Sequence, residues 1–296
     1  MALPKKSPRR QATKSRLPWP LLRRTSVWLV TSGVVLFQAS SCGVLPSLPL
    51  PGFERPSASA PAHKTGAVSK STAALVPTSF KDCPQFFAGG VTPRTPPAPR
   101  LRELCYDAFA VLHSGNTRTP VFVAERLSRE STLAARGEKR TDRFFADARL
   151  PRAERAELSD YKGSGYARGH MAPAGNMPSA SAMAQSFSLA NMIPQNPKQN
   201  SGPWAKIEND TRQYALRAQG EVYVITGPVF APGSPAIGSG QVAVPTHLFK
   251  LVYDPSTHKA WAHWQANSAD ARVGPPISYS ELTQRIGMEL LPKAAL

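Results

Sequence analysis

Apolar residues in this chain fall into short runs separated by proline, glycine and polar turns. Runs rich in Val, Ile, Phe and Tyr at 106–113, 120–125, 166–170, 187–193, 222–227, 248–254 and 260–265 predict β-strands. Helices are predicted at 181–185, 204–217 and 279–290. In the second of these, Ile207, Thr211, Tyr214 and Ala218 share one stripe that would face a sheet. Pro203 suits its first helical position, with Gly202 or Ser201 as the cap. Clustered strands with a few flanking helices predict an α+β domain built on a mainly antiparallel sheet. No internal repeat is present.

Patterning changes sharply toward the N-terminus. An apolar run at 27–37 follows eight basic residues and no acidic one, which is the layout of a secretory signal. Its eleven positions fall short of the roughly 20 that a spanning helix needs. The run ends in Ala39-Ser40-Ser41-Cys42, which suits ordinary signal cleavage and also resembles a lipoprotein box, with a membrane tether through a lipid on Cys42. Residues 1–41 are therefore read as a signal peptide or membrane-anchoring segment of an exported protein, periplasmic or secreted. Residues 42–81 are rich in Pro, Ser and Ala with no apolar periodicity, and are read as a disordered linker. That leaves 82–296 as the folded domain, long enough for a full core.

Charge narrows the partners. The formal net charge is +17, and without the eight N-terminal cations 28 basic residues still face 19 acidic ones. Such a surplus favours polyanions, nucleic acid or an anionic membrane face, but names no chemistry. Beyond Cys42 the chain holds two cysteines, Cys83 and Cys105. An oxidising compartment would let them pair across about 22 residues, and two free thiols are the alternative. They lack the paired spacing that zinc requires.

The segment Gly165-Tyr166-Ala167-Arg168-Gly169-His170 is the most informative. If it is extended, Arg168 and His170 point to one face while Gly169 leaves the other face bare. Hydrolysis of a phosphodiester needs a base for water, positive charge for the phosphate oxygens and help for the departing oxygen. Neutral imidazole supplies the first and guanidinium the second. A second cluster, Asn191-Met192-Ile193-Pro194-Gln195-Asn196-Pro197-Lys198-Gln199-Asn200, offers amide oxygens. Magnesium keeps most of its waters and takes one or two protein oxygens, so a single amide at a helix entrance can hold it.

With both clusters in view, the chain resembles the DNA/RNA non-specific endonucleases of the ββα-metal fold, over roughly residues 140–253. The resemblance implies that His170 is the general base, Asn200 the metal ligand and Glu208 an acceptor for water around the ion. It further implies that Asn191 is an active-site amide and that Arg168 stabilises charge on the phosphate. A further family arginine lies upstream, where Arg143 is the candidate. The implied cofactor is Mg2+, with Mn2+ or another divalent cation able to substitute, and the implied substrates are DNA and RNA. In one respect the chain departs from the family: the usual motif begins with aspartate where this chain has Ala167. Because position 167 should face away from Arg168 and His170, the loss bears on support of the strand more than on chemistry.

Each residue also has a plainer reading. Glu208 is spaced to pair with Arg212 one turn on, Asn200 to cap a helix, and Arg168 to anchor a neighbouring carboxylate. Trp204, Trp261 and Trp264 suit core packing as well as base stacking. Gly163-Ser164-Gly165 lacks the spacing of a nucleophile elbow, so a serine hydrolase is disfavoured. The rival from another class is an exported basic protein that binds DNA without cutting it. A toxin-type nuclease with a dedicated inhibitor protein is a third reading.

Overall fold

The computed structural model describes residues 74–293. Strands are labelled in chain order as Leu101–Cys105 (β1), Phe109–Ser114 (β2), Thr119–Leu127 (β3), Ala167–His170 (β4), Met192–Gln195 (β5), Val222–Val229 (β6), His247–Asp254 (β7), Lys259–Ala266 (β8) and Ile277–Ser278 (β9). The main helices are Arg129–Ala135 (α1), Ala180–Ser186 (α2), Ala205–Ala215 (α3) and Tyr279–Ile286 (α4).

Seven strands form one sheet in the order β9-β8-β7-β6-β3-β2-β1, every neighbouring pair antiparallel. Side chains alternate across it, and both faces are covered. On one face Leu112, Phe122, Ile225, Phe249 and Leu251 meet the chain ends, through Phe80, Phe86 and Phe87 before β1 and Tyr279, Leu282 and Leu290 after β8. On the other, Phe109, Val111, Val123 and Leu248 meet Met171, Phe187, Ile193, Trp204 and Ile207. This second face carries the β4–β5 hairpin and α3, which together make a ββα unit. The expected α+β architecture on a mainly antiparallel sheet is the observed one.

Departures from the sequence reading cluster at element ends. The strand expected at 187–193 begins at Met192, because the Ser188 hydroxyl accepts a hydrogen bond from the Ala190 N–H at 3.2 Å and closes a helical turn first. The helix expected from 204 starts about two turns earlier, at Pro197. Asn196 Oδ1 accepts from the N–H groups of Lys198 (3.0 Å) and Gln199 (3.3 Å), and Pro197 takes the first helical position. Pro203 instead lies inside a wide π turn, Asn200–Trp204, whose looser bonding tolerates its missing N–H. The helix expected to run to 290 stops at Gly287, which takes the left-handed conformation (φ 66°). Of the expected stripe, Ile207 and Thr211 are buried, Tyr214 packs on Trp261 with centroids 4.8 Å apart, and Ala218 lies past the end of the helix.

The folded region also begins ahead of residue 82. Val76–Pro77 pairs with Arg94–Thr95, and Phe80 is 1% exposed, 4.9 Å from Phe87 and 5.9 Å from Phe122 between ring centroids. Phe80, assigned to the linker, thus belongs to the core's cover. A disulfide joins Cys83 to Cys105, Cα atoms 5.8 Å apart, and ties that cover to the edge strand β1. The proposed signal segment, Cys42 and most of the linker lie outside the described residues.

Candidate active site

β4 and β5 pair antiparallel with Gly169 opposite Ile193 and His170 opposite Met192. A side chain at Gly169 would collide with Gln195, since a Cβ there would lie 2.5 Å from the Gln195 Cβ. The bare face of the strand is therefore filled by glutamine. That amide begins a buried chain: Gln195 Nε2 donates to Gln199 Oε1 (2.6 Å), and Gln199 Nε2 donates to Gln265 Oε1 on β8 (2.7 Å). These bonds lock the hairpin, the first helical turn and the sheet into one frame. Asn267 adds to it by accepting from Asn196 N–H and donating to Pro194 and Pro245 carbonyls.

On the opposite face of β4, Arg168 and His170 line a cavity of about 260 Å³ together with Arg140, Asn200, Glu208 and Arg212. The imidazole packs edge-on against Phe187, centroids 5.0 Å apart, and 5.8 Å from Phe144. The Arg168 guanidinium lies 3.9 Å from the Phe144 ring centroid, a cation–π contact that keeps the charge over the cavity. Residues from β4, the π turn and α3 thus converge from three directions.

Four of the expected site residues, Arg168, His170, Asn200 and Glu208, share this cavity. Asn191 does not line it. Its side chain is fully buried, accepting from Ala172 N–H at 2.9 Å and donating to the carbonyls of Ala172 and Ser186, both at 2.9 Å. With both amide ends engaged, Asn191 braces the turn that follows His170 and has no donor left for a substrate. Arg143 is corrected as well. The chain bends at Asp142 (φ 52°), and the arginine that reaches the cavity is Arg140, while Arg143 is exposed elsewhere. Ala167 lines an adjoining groove, away from His170 as expected.

Sequence reasoning missed Arg212. Its spacing of four from Glu208 suggested an ion pair; instead Arg212 Nη1 donates to Asn176 Oδ1 (3.2 Å), and Asn176 Nδ2 donates to Glu125 Oε1 (2.9 Å). Glu125, Thr226 and Lys250 are buried on the sheet surface beneath, where Lys250 Nζ donates to Thr226 Oγ1 at 2.7 Å. Alternation in β3, β6 and β7 places these polar residues inward, but a sequence read strand by strand gives no sign that the three face one another.

Electrostatics divide the groups. Burial, reinforced by the Arg140 and Arg168 charges, pushes the His170 pKa down to about 3. Burial raises that of Glu208, against the pull of Lys250 and Arg212. The imidazole is therefore neutral at physiological pH, and its Nε2 is buried without a hydrogen-bond partner among the described residues. Because the folded pKa lies below the unfolded value of 6.5, His170 favours folding above pH 6.5, and that contribution is lost as pH falls toward 3. We expect 15N NMR of the metal-free protein to show a neutral His170 ring at pH 5. A titration midpoint near 6.5 would contradict the enclosure described here.

Asn200 and Glu208 supply an amide and a carboxylate to one cavity, and among the described residues no group of three or more His, Cys, Asp or Glu gathers as a metal nest. Such a sparse, all-oxygen set fits a hydrated hard cation and not zinc.

The model of the DNA/RNA non-specific endonuclease family matches residues 91–285, a span that contains every residue of this cavity. The chain belongs to that family. Among curated relatives, it is 39% identical over 158 residues to the mitochondrial nuclease EXOG of Xenopus laevis, covering 50% of this chain and 44% of that protein. It is 38% identical over 160 residues to human mitochondrial endonuclease G, covering 50% of this chain and 51% of the relative. The chain thus spans about half the length of these curated relatives. The solved structure of an EndoG/EndoGI complex, described as showing the mechanism of EndoG inhibition, superposes with a TM-score of 0.58 at 25% identity, covering 73% of this chain and 92% of the other.

These relatives correct one expectation. Export to a periplasm or the medium was inferred from the basic, acid-free N-terminal segment, yet the Xenopus and human relatives are mitochondrial nucleases. Arg-rich, acid-poor composition is also that of organelle transit segments, so the feature used for the inference does not discriminate. The secreted, signal-peptide reading is withdrawn.

Proposed function

We propose that this endonuclease-family chain hydrolyses phosphodiester bonds of DNA and RNA without regard to sequence, aided by a divalent cation such as Mg2+ or Mn2+. The observation that carries the reading is the convergence of a neutral histidine, three arginines, an amide and a carboxylate on one small cavity. His170 accepts a proton from water as that water attacks phosphorus. Arg140, Arg168 and Arg212 bind the non-bridging phosphate oxygens and stabilise their growing charge. Burial, and after it the Arg140 and Arg168 charges, depress the His170 pKa in the resting protein, and an entering phosphate anion offsets the part that comes from those charges.

Asn200 would hold the cation, with Glu208 accepting hydrogen bonds from its waters. When bound, that ion supplies positive charge to the departing oxygen. Asn191 and Gln195 position the strand that carries His170. The cavity is lined by groups that suit phosphate and by none arranged to read base edges, which supports indifference to sequence.

Incubating purified protein with plasmid DNA and with RNA, in magnesium and in EDTA, tests this directly. Cleavage of both in magnesium and of neither in EDTA is expected. Binding without cleavage in magnesium would favour the rival reading of a nucleic-acid binder. The inhibitor bound to EndoG in the solved complex makes a protein inhibitor of this chain part of the proposal, with the His170 cavity as its target.

A further inference from the structure

Beside the catalytic cavity lies a second, larger groove of about 550 Å³. Arg140 and Arg168 line both, so the two spaces share a wall. A polynucleotide with its scissile phosphate at His170 must leave the cavity on both sides, and this groove is one way out. Lys162 adds a third cation to it. The acid in its lining is Asp142, whose carboxylate is held by Arg140 Nε at 2.6 Å. The groove therefore presents surplus positive charge toward whatever occupies it.

Its remaining lining points to more than a counter-ion site. Tyr166, half-buried, contributes an aromatic ring next to the cations. Tyr161 also lines the groove and is itself 6% exposed. Ala167 places a methyl group in the same lining, where the family's usual aspartate would add a second negative charge.

We propose that this groove is a subsite for the nucleotide adjoining the scissile phosphate. Lys162 and Arg168 contact the strand's backbone, and the Tyr166 ring stacks on a base. Stacking and backbone charge tolerate every base, so the subsite adds affinity without adding sequence preference. The proposal rests on the nuclease reading for the position of the scissile phosphate.

Equilibrium binding in EDTA tests the groove separately from cleavage. The probe is a fluorescein-labelled 12-nucleotide single strand followed by anisotropy at several salt concentrations. Lys162→Ala is expected to weaken binding and to reduce the slope of log affinity against log salt by about 0.7, the loss of one phosphate contact on a single strand. Tyr166→Leu, which keeps an apolar side chain, is expected to weaken binding about tenfold. Lys259→Ala, an exposed lysine on β8, serves as the charge-matched control and should change nothing.

Wild-type affinity in the groove variants would overturn the proposal, as would an equal loss in the Lys259 control or failure of the wild type to bind the strand. Cleavage of the same strand by the wild type in magnesium is scored apart. A protein that binds through the groove yet cuts nothing sinks the nuclease reading, and one that cuts with the groove variants unaltered sinks only the subsite.

Discussion

His170→Ala is expected to lower kcat on plasmid DNA by about 10² to 10⁴-fold, the usual loss when a positioned general base is removed. The arginines and Asn200 proposed to hold phosphate and cation come from other positions in the cavity, so ground-state binding should survive. kcat and kcat/KM should therefore fall together while KM stays near its wild-type value. Burst-free steady-state kinetics on supercoiled plasmid, with circular dichroism to verify folding, makes the measurement. Wild-type turnover by a correctly folded His170→Ala protein would remove the imidazole from the reaction.

The second large effect is on stability and lies beneath the site. Lys250 is 1% exposed, bonded to Thr226 and 5.4 Å from the Trp204 ring centroid, and Glu125 is equally buried. Burial pushes Glu125 up to about 7 against the opposing pull of Lys250. Folded Glu125 thus holds its proton more tightly than unfolded Glu125. Its contribution to stability is fully present below pH 4.5 and is lost as pH rises through about 7.

Lys250→Met removes the compensating cation and keeps the volume. At pH 8 it should cost about 1 to 3 kcal/mol, because Glu125 loses the cation that favours its charged form and must take up a proton to stay buried. For a domain of this size that is roughly a 2 to 12 °C fall in Tm. At pH 5, where Glu125 is already protonated in the native protein, the cost should shrink to about 1 kcal/mol or less. Equal losses at both pH values, by calorimetry, would show that the lysine acts by packing alone.

The central sheet was legible because its strands alternate or run apolar over lengths typical of a strand, whereas the pairing of Thr119–Leu127 with the sequence-distant Val222–Val229 was not. The face that carries the cavity was legible for a local reason. Arg168 and His170 are two residues apart, so any extended backbone aims them together, and one strand fixes half the site. Asn200 and Glu208 were placed by the pattern around them, not by their own type.

What escaped was set by contacts distant in sequence. Whether Arg212 meets Glu208 or Asn176 depends on a turn 36 residues away. Asn191 looks identical in sequence whether its amide faces solvent or, as here, a neighbouring backbone. The edge strand Leu101–Cys105 was missed because Arg102 and Glu103 are exposed and break its alternation. The helix start was misjudged because two prolines, Pro197 and Pro203, both fit the first position, and the π turn that absorbs the second has no sequence rule of its own. Exported localisation failed for a different cause, since an acid-free basic leader is shared by more than one destination.

Chain ends close the sheet's rear. Phe80, Phe86 and Phe87 arrive from one terminus and Leu282, Leu290 and Leu291 from the other, clasped where Arg94 and Glu289 exchange backbone hydrogen bonds at 2.8 and 3.0 Å. Every residue of the His170 cavity lies ahead of α4 in the chain, so that closing segment can part from the sheet without removing any of them. A break between β8 and α4 is therefore expected to leave the cavity residues in place while baring an apolar floor prone to self-association.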